Sequence, residues 1–442
     1  MTLFYAIAWA ALLWIALRSR SRYLFFFVVC QFVFVGLGLT IFPFFGLDKL
    51  AESFSTFRVE LLSEGDFYKA NAIVLVGSWV AVILNRLLRQ PDLSTMNAHR
   101  RQLVLQSGVR RPLYFVCSFV AISACTFFII QNFSSYKSLI TAANPDALTD
   151  FVELRYEAIS NYLIILIVYN FAPAVSIVAL LRYTSGKTKL SLIFFAIFFV
   201  ITSLALIFTF QKRPLMVYLG GCAIAWVLYE RYRRGHEIRI DYANLLAKKW
   251  IYLPVALGVV FFFYYFQTAY RFYMSFWDTV PLLFEVIVTR VIGRLSLPAA
   301  MYVDYFPSVA PHYWLSNVGL FGSLLGFDVF EDSRVVFSSY AVGAQSGSVA
   351  ASVFIDAYGQ GGVIVAILYG AVVALIISWF DVMTTRAPQG MSRVYVMIFG
   401  MVFLYYLSQA SLFRSALGYG GVFYFLVWLL CFKKKIRYSG NF

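Results

Sequence analysis

Long apolar runs of spanning length dominate this chain and limit it to a membrane fold. A helix that crosses a bilayer needs about 17–25 mostly apolar residues. Runs of that kind lie near 2–17, 23–46, 68–85, 113–131, 162–181, 190–210, 214–230, 250–268, 361–381, 394–410 and 419–432. They predict eleven transmembrane helices. A further apolar stretch, 281–301, is a candidate twelfth element, re-entrant or lying at the interface. The chain is 61% hydrophobic with a mean hydropathy of +0.77. A soluble core cannot absorb that excess, so much of the apolar surface must face lipid. The 30 Tyr and 46 Phe suit interfacial belts and packed bundles. The first run has no basic segment before it, so it reads as a first span rather than a cleaved leader.

The polar remainder orients the spans. With the N-terminus outside, the inside loops are 18–22, 86–112, 182–189, 231–249, 382–393 and the tail from 433. They hold two thirds of the Lys and Arg. The acids in or beside them are Asp92, Glu230, Glu237, Asp241 and Asp381. Basic residues concentrate on the cytoplasmic side, so this alternation supports both the count and the orientation. Three sizeable loops face outside: 47–67, 132–161 and 269–360. The last is far longer than an ordinary connection and is expected to carry function or its own structure. The organisation expected is an N-terminal bundle of about eight helices over 1–268, the loop 269–360 with its interfacial helix, and about three helices over 361–442 with a basic tail.

Composition excludes several classes. No basic segment has the aromatic interleaving of a nucleic-acid surface. Cys30, Cys117, Cys125, Cys222 and Cys431 all lie in apolar segments without metal-type spacing, and read as small buried hydrophobes. No HExxH, DxD, GxSxG or Walker motif occurs, so metal, serine-hydrolase and nucleotide chemistry lack sequence support. No internal repeat or low-complexity segment is visible.

Cations on the outside break the charge bias. Lys212 and Arg213 fill a very short outside turn with no acid nearby in sequence. They are either snorkelling side chains or an anion site, since Arg offers bidentate contacts to phosphate and Lys a point charge. Arg290 and Arg294 lie four apart, on one face of a helix, with Glu285 a potential partner. An amphipathic interfacial helix is the structural alternative. Arg271, Arg334 and Arg414 add further outside cations. Together they predict a cationic basin that suits a lipid-linked pyrophosphate, whose leaving-group charge grows during transfer. A structural network of ion pairs is the competing explanation. Acid–base candidates in the same loop are Glu285, Asp304, His312, Asp328, Glu331, Asp332 and Asp356. Histidine is a side chain that can act as a base near neutral pH, although a lone histidine is more often structural. Glu331-Asp332 reads as a solvated acidic turn. His312, Asp304, Glu285 and Asp332 are the residues selected as catalytic candidates.

The stretch Ser338–Gly362, SSYAVGAQSGSVAASVFIDAYGQGG, runs straight into an apolar span. It resembles the C-terminal signature of bacterial O-antigen and oligosaccharide repeat-unit polymerases (Wzy-type). The matching elements are Ser348, Asp356, Tyr358, Gly359 and Gly362. The short Lys212-Arg213 turn, the Arg290/Arg294 helix and the single long late loop resemble that family too. One family feature, an arginine followed by a glycine at a fixed spacing, is absent from Arg290, Arg294 and Arg334, so no role is carried over from it. The resemblance implies an all-α, GT-C-like bundle in a bacterial inner membrane. Its N-terminus would be periplasmic, its C-terminus cytoplasmic and its site would face the periplasm. It implies a glycosyltransferase that joins undecaprenyl-pyrophosphate-linked repeat units into O-antigen, the polysaccharide of lipopolysaccharide, or a related surface polysaccharide. No cofactor, metal or nucleotide sugar would be required. Lys212, Arg213, Arg290 and Arg294 would hold pyrophosphate, with Arg271, Arg334 and Arg414 as further candidates. His312 or a carboxylate would take the acceptor proton. Implied partners are the lipid-linked oligosaccharide, membrane lipid, a chain-length regulator and a flippase. A ligase that moves glycan to lipid A core, and a flippase for the same lipid, are the alternatives.

Overall fold

The computed structural model describes residues 1–19, 21–46, 54, 57–88, 103–141, 162–209, 211–234, 293–314, 330–343 and 348–438. Every expected span within these residues is helical. In chain order the helices are α1 (Thr2–Arg18), α2 (Arg22–Phe44), α3 (Glu64–Leu87), α4 (Arg111–Thr141), α5 (Leu163–Gly186), α6 (Lys189–Phe208), α7 (Lys212–Arg233), α8 (Arg294–Tyr305), α9 (Asp332–Tyr340), α10 (Val353–Arg386), α11 (Met391–Leu407) and α12 (Gly421–Cys431). The span expected at 250–268 lies outside the described residues.

Six of these helices, α2 to α6 and α10, are long and apolar enough to cross a membrane. The chain is therefore a mainly helical membrane protein. α1, α11 and α12 are apolar but shorter, at 10–17 residues. α7 has 22 residues and carries its charges at its ends, with Lys212 and Arg213 at one and Glu230, Arg231 and Arg233 at the other. α6 shows why lipid is the solvent. Leu190 is 79% exposed and Ile193 56% exposed on a helix with almost no polar side chain. In water such a surface would aggregate. In hydrocarbon it costs nothing, and the helix satisfies its own backbone hydrogen bonds.

Two compact units divide the chain. The first comprises Met1–Arg89, Tyr242–Asp381 and Leu404–Arg414; the second comprises Gln90–Asp241, Val382–Phe403 and Ser415–Phe442. In the first unit, small residues and buried amides join the helices. Trp9 Nε1 on α1 donates to Asn71 Oδ1 on α3 at 2.9 Å, and Asn71 Nδ2 donates to Thr40 Oγ1 on α2 at 3.0 Å. All three side chains are buried, so one amide serves three helices. A Cβ on Gly370 of α10 would stand 2.8 Å from the Gly77 carbonyl of α3, so glycine there lets the two backbones approach. Asn85 Nδ2 then donates to Ser378 Oγ at 2.9 Å along the same contact.

In the second unit, Asn170 Nδ2 on α5 donates to the Gly418 carbonyl at 3.0 Å, and the Ser176 and Tyr218 hydroxyls are 2.6 Å apart. This unit also departs from an all-helical expectation. The end of the loop before α4 and the basic tail pair as an antiparallel ribbon of β1 (Leu103–Val109) and β2 (Phe432–Tyr438), with Gly108 opposite Lys433.

The segment 281–301, expected as a re-entrant or interfacial element, is described from Gly293 onward. α8 is an internal helix: Leu295, Ser296, Leu297 and Ala299 to Val303 are all buried. Apolar side chains around the whole circumference, rather than on one stripe, account for that burial.

Candidate functional site

The first unit gathers its polar groups at one place. Segments of the long loop, the first turn of α10 and the chain before α12 all contribute.

α9 brings in Asp332 at its first position. The acidic turn Glu331-Asp332 was expected to be solvated, and for Asp332 this is corrected. Glu331 is exposed and pairs with Arg334 three residues on at 2.8 Å. Asp332 is fully buried. Its Oδ2 accepts from the Tyr302 hydroxyl of α8, and its Oδ1 accepts from an Arg414 guanidinium N–H at 2.9 Å. Glu331 is the N-cap of α9, with a non-helical backbone, while Asp332 is the first residue of the helix. The Arg414 side chain remains 38% exposed, so the ion pair is buried at the carboxylate and open at the guanidinium.

α10 brings in Asp356, also buried. The Tyr313 hydroxyl donates to Asp356 Oδ1 at 3.2 Å, and Gln360 Nε2 donates to Oδ2 at 2.7 Å. The Tyr369 hydroxyl donates in turn to Gln360 Oε1 at 3.0 Å. The two carboxylates belong to one cluster. The phenols of Tyr302 and Tyr313 are both pushed well above the ordinary tyrosine range. For Tyr302 burial is the first cause, followed by Asp332 and Asp356; for Tyr313 the order is burial, Asp356, Asp332. At neutral pH these phenols are donors.

The glycines of the signature have local physical reasons. A Cβ on Gly359 would stand 2.7 Å from the Tyr313 ring. Gly362 has φ 75 and ψ −161, a region open essentially to glycine alone, and it breaks α10 after its second turn. Into that break comes His312. Its Nδ1 lies 3.2 Å from the Gly359 carbonyl, and its ring stacks on Phe306 and meets Tyr358 edge-on. That carbonyl also accepts from Tyr313 N at 3.3 Å, and in the tautomer with a proton on Nδ1 it accepts from both, leaving Nε2 as the nitrogen with a free lone pair. Tyr358 donates to the Phe306 carbonyl at 3.0 Å, and the Lys69 ammonium stands 5.5 Å over its ring.

A neighbouring pair closes the arrangement. The Tyr340 hydroxyl donates to Asp304, and burial together with that carboxylate holds the phenol above its ordinary value. The Tyr340 backbone carbonyl accepts from Arg58 N at 2.7 Å, and Phe57 bridges to Ala341. Residues 57–62 and 331–341 were assigned to the same side of the membrane by the charge bias, and they are neighbours here.

Of the sequence candidates, the structure pairs Asp332 with Arg414, seats His312 on the Gly359 carbonyl and pairs Asp304 with Tyr340. Arg334 is held apart in its exposed pair with Glu331. Arg294 opens α8 and Lys212 opens α7. Arg213 belongs to the second unit, 5.9 Å over the Tyr419 ring. Arg271, Glu285, Arg290 and Asp328 lie outside the described residues. Reasoning from sequence missed Tyr302, Tyr313, Gln360 and Tyr369. An apolar-flanked tyrosine looks the same in a string whether it packs or hydrogen-bonds a carboxylate. Asp356 and Gln360 carried one usable signal, a polar pair four apart at the entry to an apolar span.

Chemically, the cluster holds a guanidinium oriented by a buried acid, a histidine oriented by a carbonyl, and a chain of hydroxyl and amide groups on a second acid. It suits binding of an oxyanion and transfer of a proton. In comparison with known proteins, the chain matches no protein-family model, no curated protein and no solved structure.

Proposed function

We propose that this chain is a periplasm-facing glycosyltransferase of the bacterial inner membrane that polymerises undecaprenyl-pyrophosphate-linked repeat units into O-antigen or a related polysaccharide. The observation that carries the reading is the convergence of Asp356, Tyr358, Gly359 and Gly362 with His312, Asp332 and Arg414 in one cluster of the first unit. Asp356, Tyr358, Gly359 and Gly362 are signature residues, His312 and Asp332 come from the long loop, and Arg414 comes from the short turn before α12. An eleven-span, GT-C-like bundle with a periplasmic N-terminus and a cytoplasmic C-terminus is part of the same proposal.

Roles follow from the geometry. Arg414, fixed on one side by Asp332, offers charge to the pyrophosphate as its oxygen–glycosyl bond breaks. His312 is the preferred base. Asp332 is occupied by Arg414 and Tyr302, and Asp304 by Tyr340. His312 Nε2 accepts the proton of the acceptor hydroxyl as its oxygen bonds to the anomeric carbon, and undecaprenyl pyrophosphate leaves. Arg271, Arg290 and Arg294 of the long loop are further pyrophosphate candidates, each tested singly; Lys212 and Arg213 belong to the second unit.

Purified protein incubated with undecaprenyl-pyrophosphate-linked repeat units is expected to yield a ladder of lengthened chains. A product that forms only when lipid A core is added identifies a ligase instead. Translocation of the labelled lipid across a vesicle with no lengthening identifies a flippase. Of the polar residues in the spans, Asn71, Asn85 and Asn170 are each hydrogen-bonded to a neighbouring segment, whereas the side-chain amide of the buried Gln31 has no hydrogen-bond partner among the described residues.

A further inference from the structure

The second unit contains a cavity of about 1130 Å³ whose lining includes Arg110, Arg111, Arg182 and Lys433 and, among the described residues, no carboxylate. These cations come from three places: Arg110-Arg111 between β1 and α4, Arg182 at the end of α5 and Lys433 at the start of β2. The sequence assigns all four to the inside loops. Such convergence is costly without a counter-charge, since like charges in a shared concavity repel. Glu230, an acid beside the same loops, does not line the cavity. Its two oxygens are held by Lys187 at 3.1 Å and Arg233 at 3.4 Å.

The cavity is also organised. The Arg182 guanidinium stands 5.3 Å over the ring of Tyr114 and 5.5 Å over that of Phe115. Tyr114 is fully buried, so Arg182 is placed on a fixed aromatic floor. The wall is pinned where Arg110 N donates to the Cys431 carbonyl at 2.8 Å and Gly108 pairs with Lys433. Two helices begin at its edge. α4 starts at Arg111, and α6 is capped by Thr188, whose Oγ1 accepts from Ser191 N at 3.3 Å. Their positive ends add to the field of the four cations.

We propose that this cavity is a binding site for a phosphate-bearing anion, a phosphate ester or pyrophosphate, presented either by a lipid headgroup or by a soluble molecule. Its volume suits a headgroup or a small phosphorylated metabolite rather than a macromolecule. The proposal does not depend on the glycosyltransferase reading, because its residues are not those of the Asp332–Arg414 cluster.

The test uses the full-length protein in nanodiscs. In phosphatidylcholine discs, inorganic pyrophosphate is titrated and the thermal midpoint followed. In discs of phosphatidylcholine mixed with phosphatidylglycerol, the lipid retained by the protein is counted by native mass spectrometry. A soluble ligand predicts a midpoint that rises with pyrophosphate; a lipid ligand predicts selective retention of phosphatidylglycerol. In either case Arg182→Gln is expected to weaken binding about tenfold, the scale of one lost charge-assisted contact. Arg182→Lys retains most of it. Lys433→Gln, at an exposed position, repeats the test should Arg182→Gln fold poorly. Wild type and variants that respond alike to both probes would overturn the proposal.

Discussion

Asp332 and Arg414, 82 residues apart in the chain, meet at 2.9 Å with the carboxylate buried and the arginine side chain 38% exposed. Removing Arg414 leaves a buried acid without its counter-charge, and that loss outweighs the loss of an exposed pair. Arg414→Ala is therefore expected to cost about 1–3 kcal/mol, less than a fully buried pair because solvent screens the exposed side. Asp332→Asn combined with Arg414→Ala is expected to recover part of that cost. Thermal unfolding of the four proteins in detergent decides it: strictly additive effects mean the pair is not coupled.

Gly362 sits at a positive φ where a side chain is strained. Gly362→Ala is expected to destabilise the protein by about 1–3 kcal/mol. It also fills the space facing His312, 3.4 Å from Nε2. Chain lengthening should fall more steeply than stability. A variant with wild-type melting and wild-type product lengths contradicts the role given to this break.

His312→Asn retains a donor able to reach the Gly359 carbonyl but lacks the basic nitrogen. It is expected to fold and insert normally, while the rate of repeat-unit transfer falls about 100-fold or more, the scale of a general base. Transfer kinetics on purified lipid-linked substrate give the number. An unchanged rate removes His312 from the mechanism.

The phenols of Tyr302, Tyr313 and Tyr340 are held above the ordinary value of 10.0 by burial and their carboxylate partners. The folded state therefore keeps protons that the unfolded chain releases near 10.0. Their contribution to stability is present below that pH and is lost as pH rises beyond it. Phenolate absorbance of the folded protein should show a fraction of the 30 tyrosines that resists titration until the protein unfolds. A single transition of all of them near 10.0, with the fold intact, is the contrary result.

Asn71 links Trp9 and Thr40 in an apolar interior. Asn71→Leu removes both bonds and strands the indole N–H. The expected loss is about 1–2 kcal/mol, since polar contacts between membrane helices are individually modest. A melt equal to wild type means that Trp9 and Thr40 find other partners.

The amino-acid string carries the membrane class, the helices at each described span and the division of charge between loops. These are local properties. Bilayer thickness sets how many apolar residues a span needs, and charge bias is counted loop by loop. The string also marks Asp356, Gly359, Gly362 and His312 as worth examining. The folded arrangement buries Asp332 while its neighbour Glu331 stays solvated. It alone paired Asp332 with Arg414, and it made residues 295–303 an internal helix rather than one lying at the interface. The cationic cavity of the second unit belongs to the same class, since Arg110, Arg182 and Lys433 come from distant segments. A residue's burial and partner depend on contacts made across the fold. In a chain this apolar, one buried tyrosine or arginine has no periodic signature to announce which carboxylate or ring it will meet.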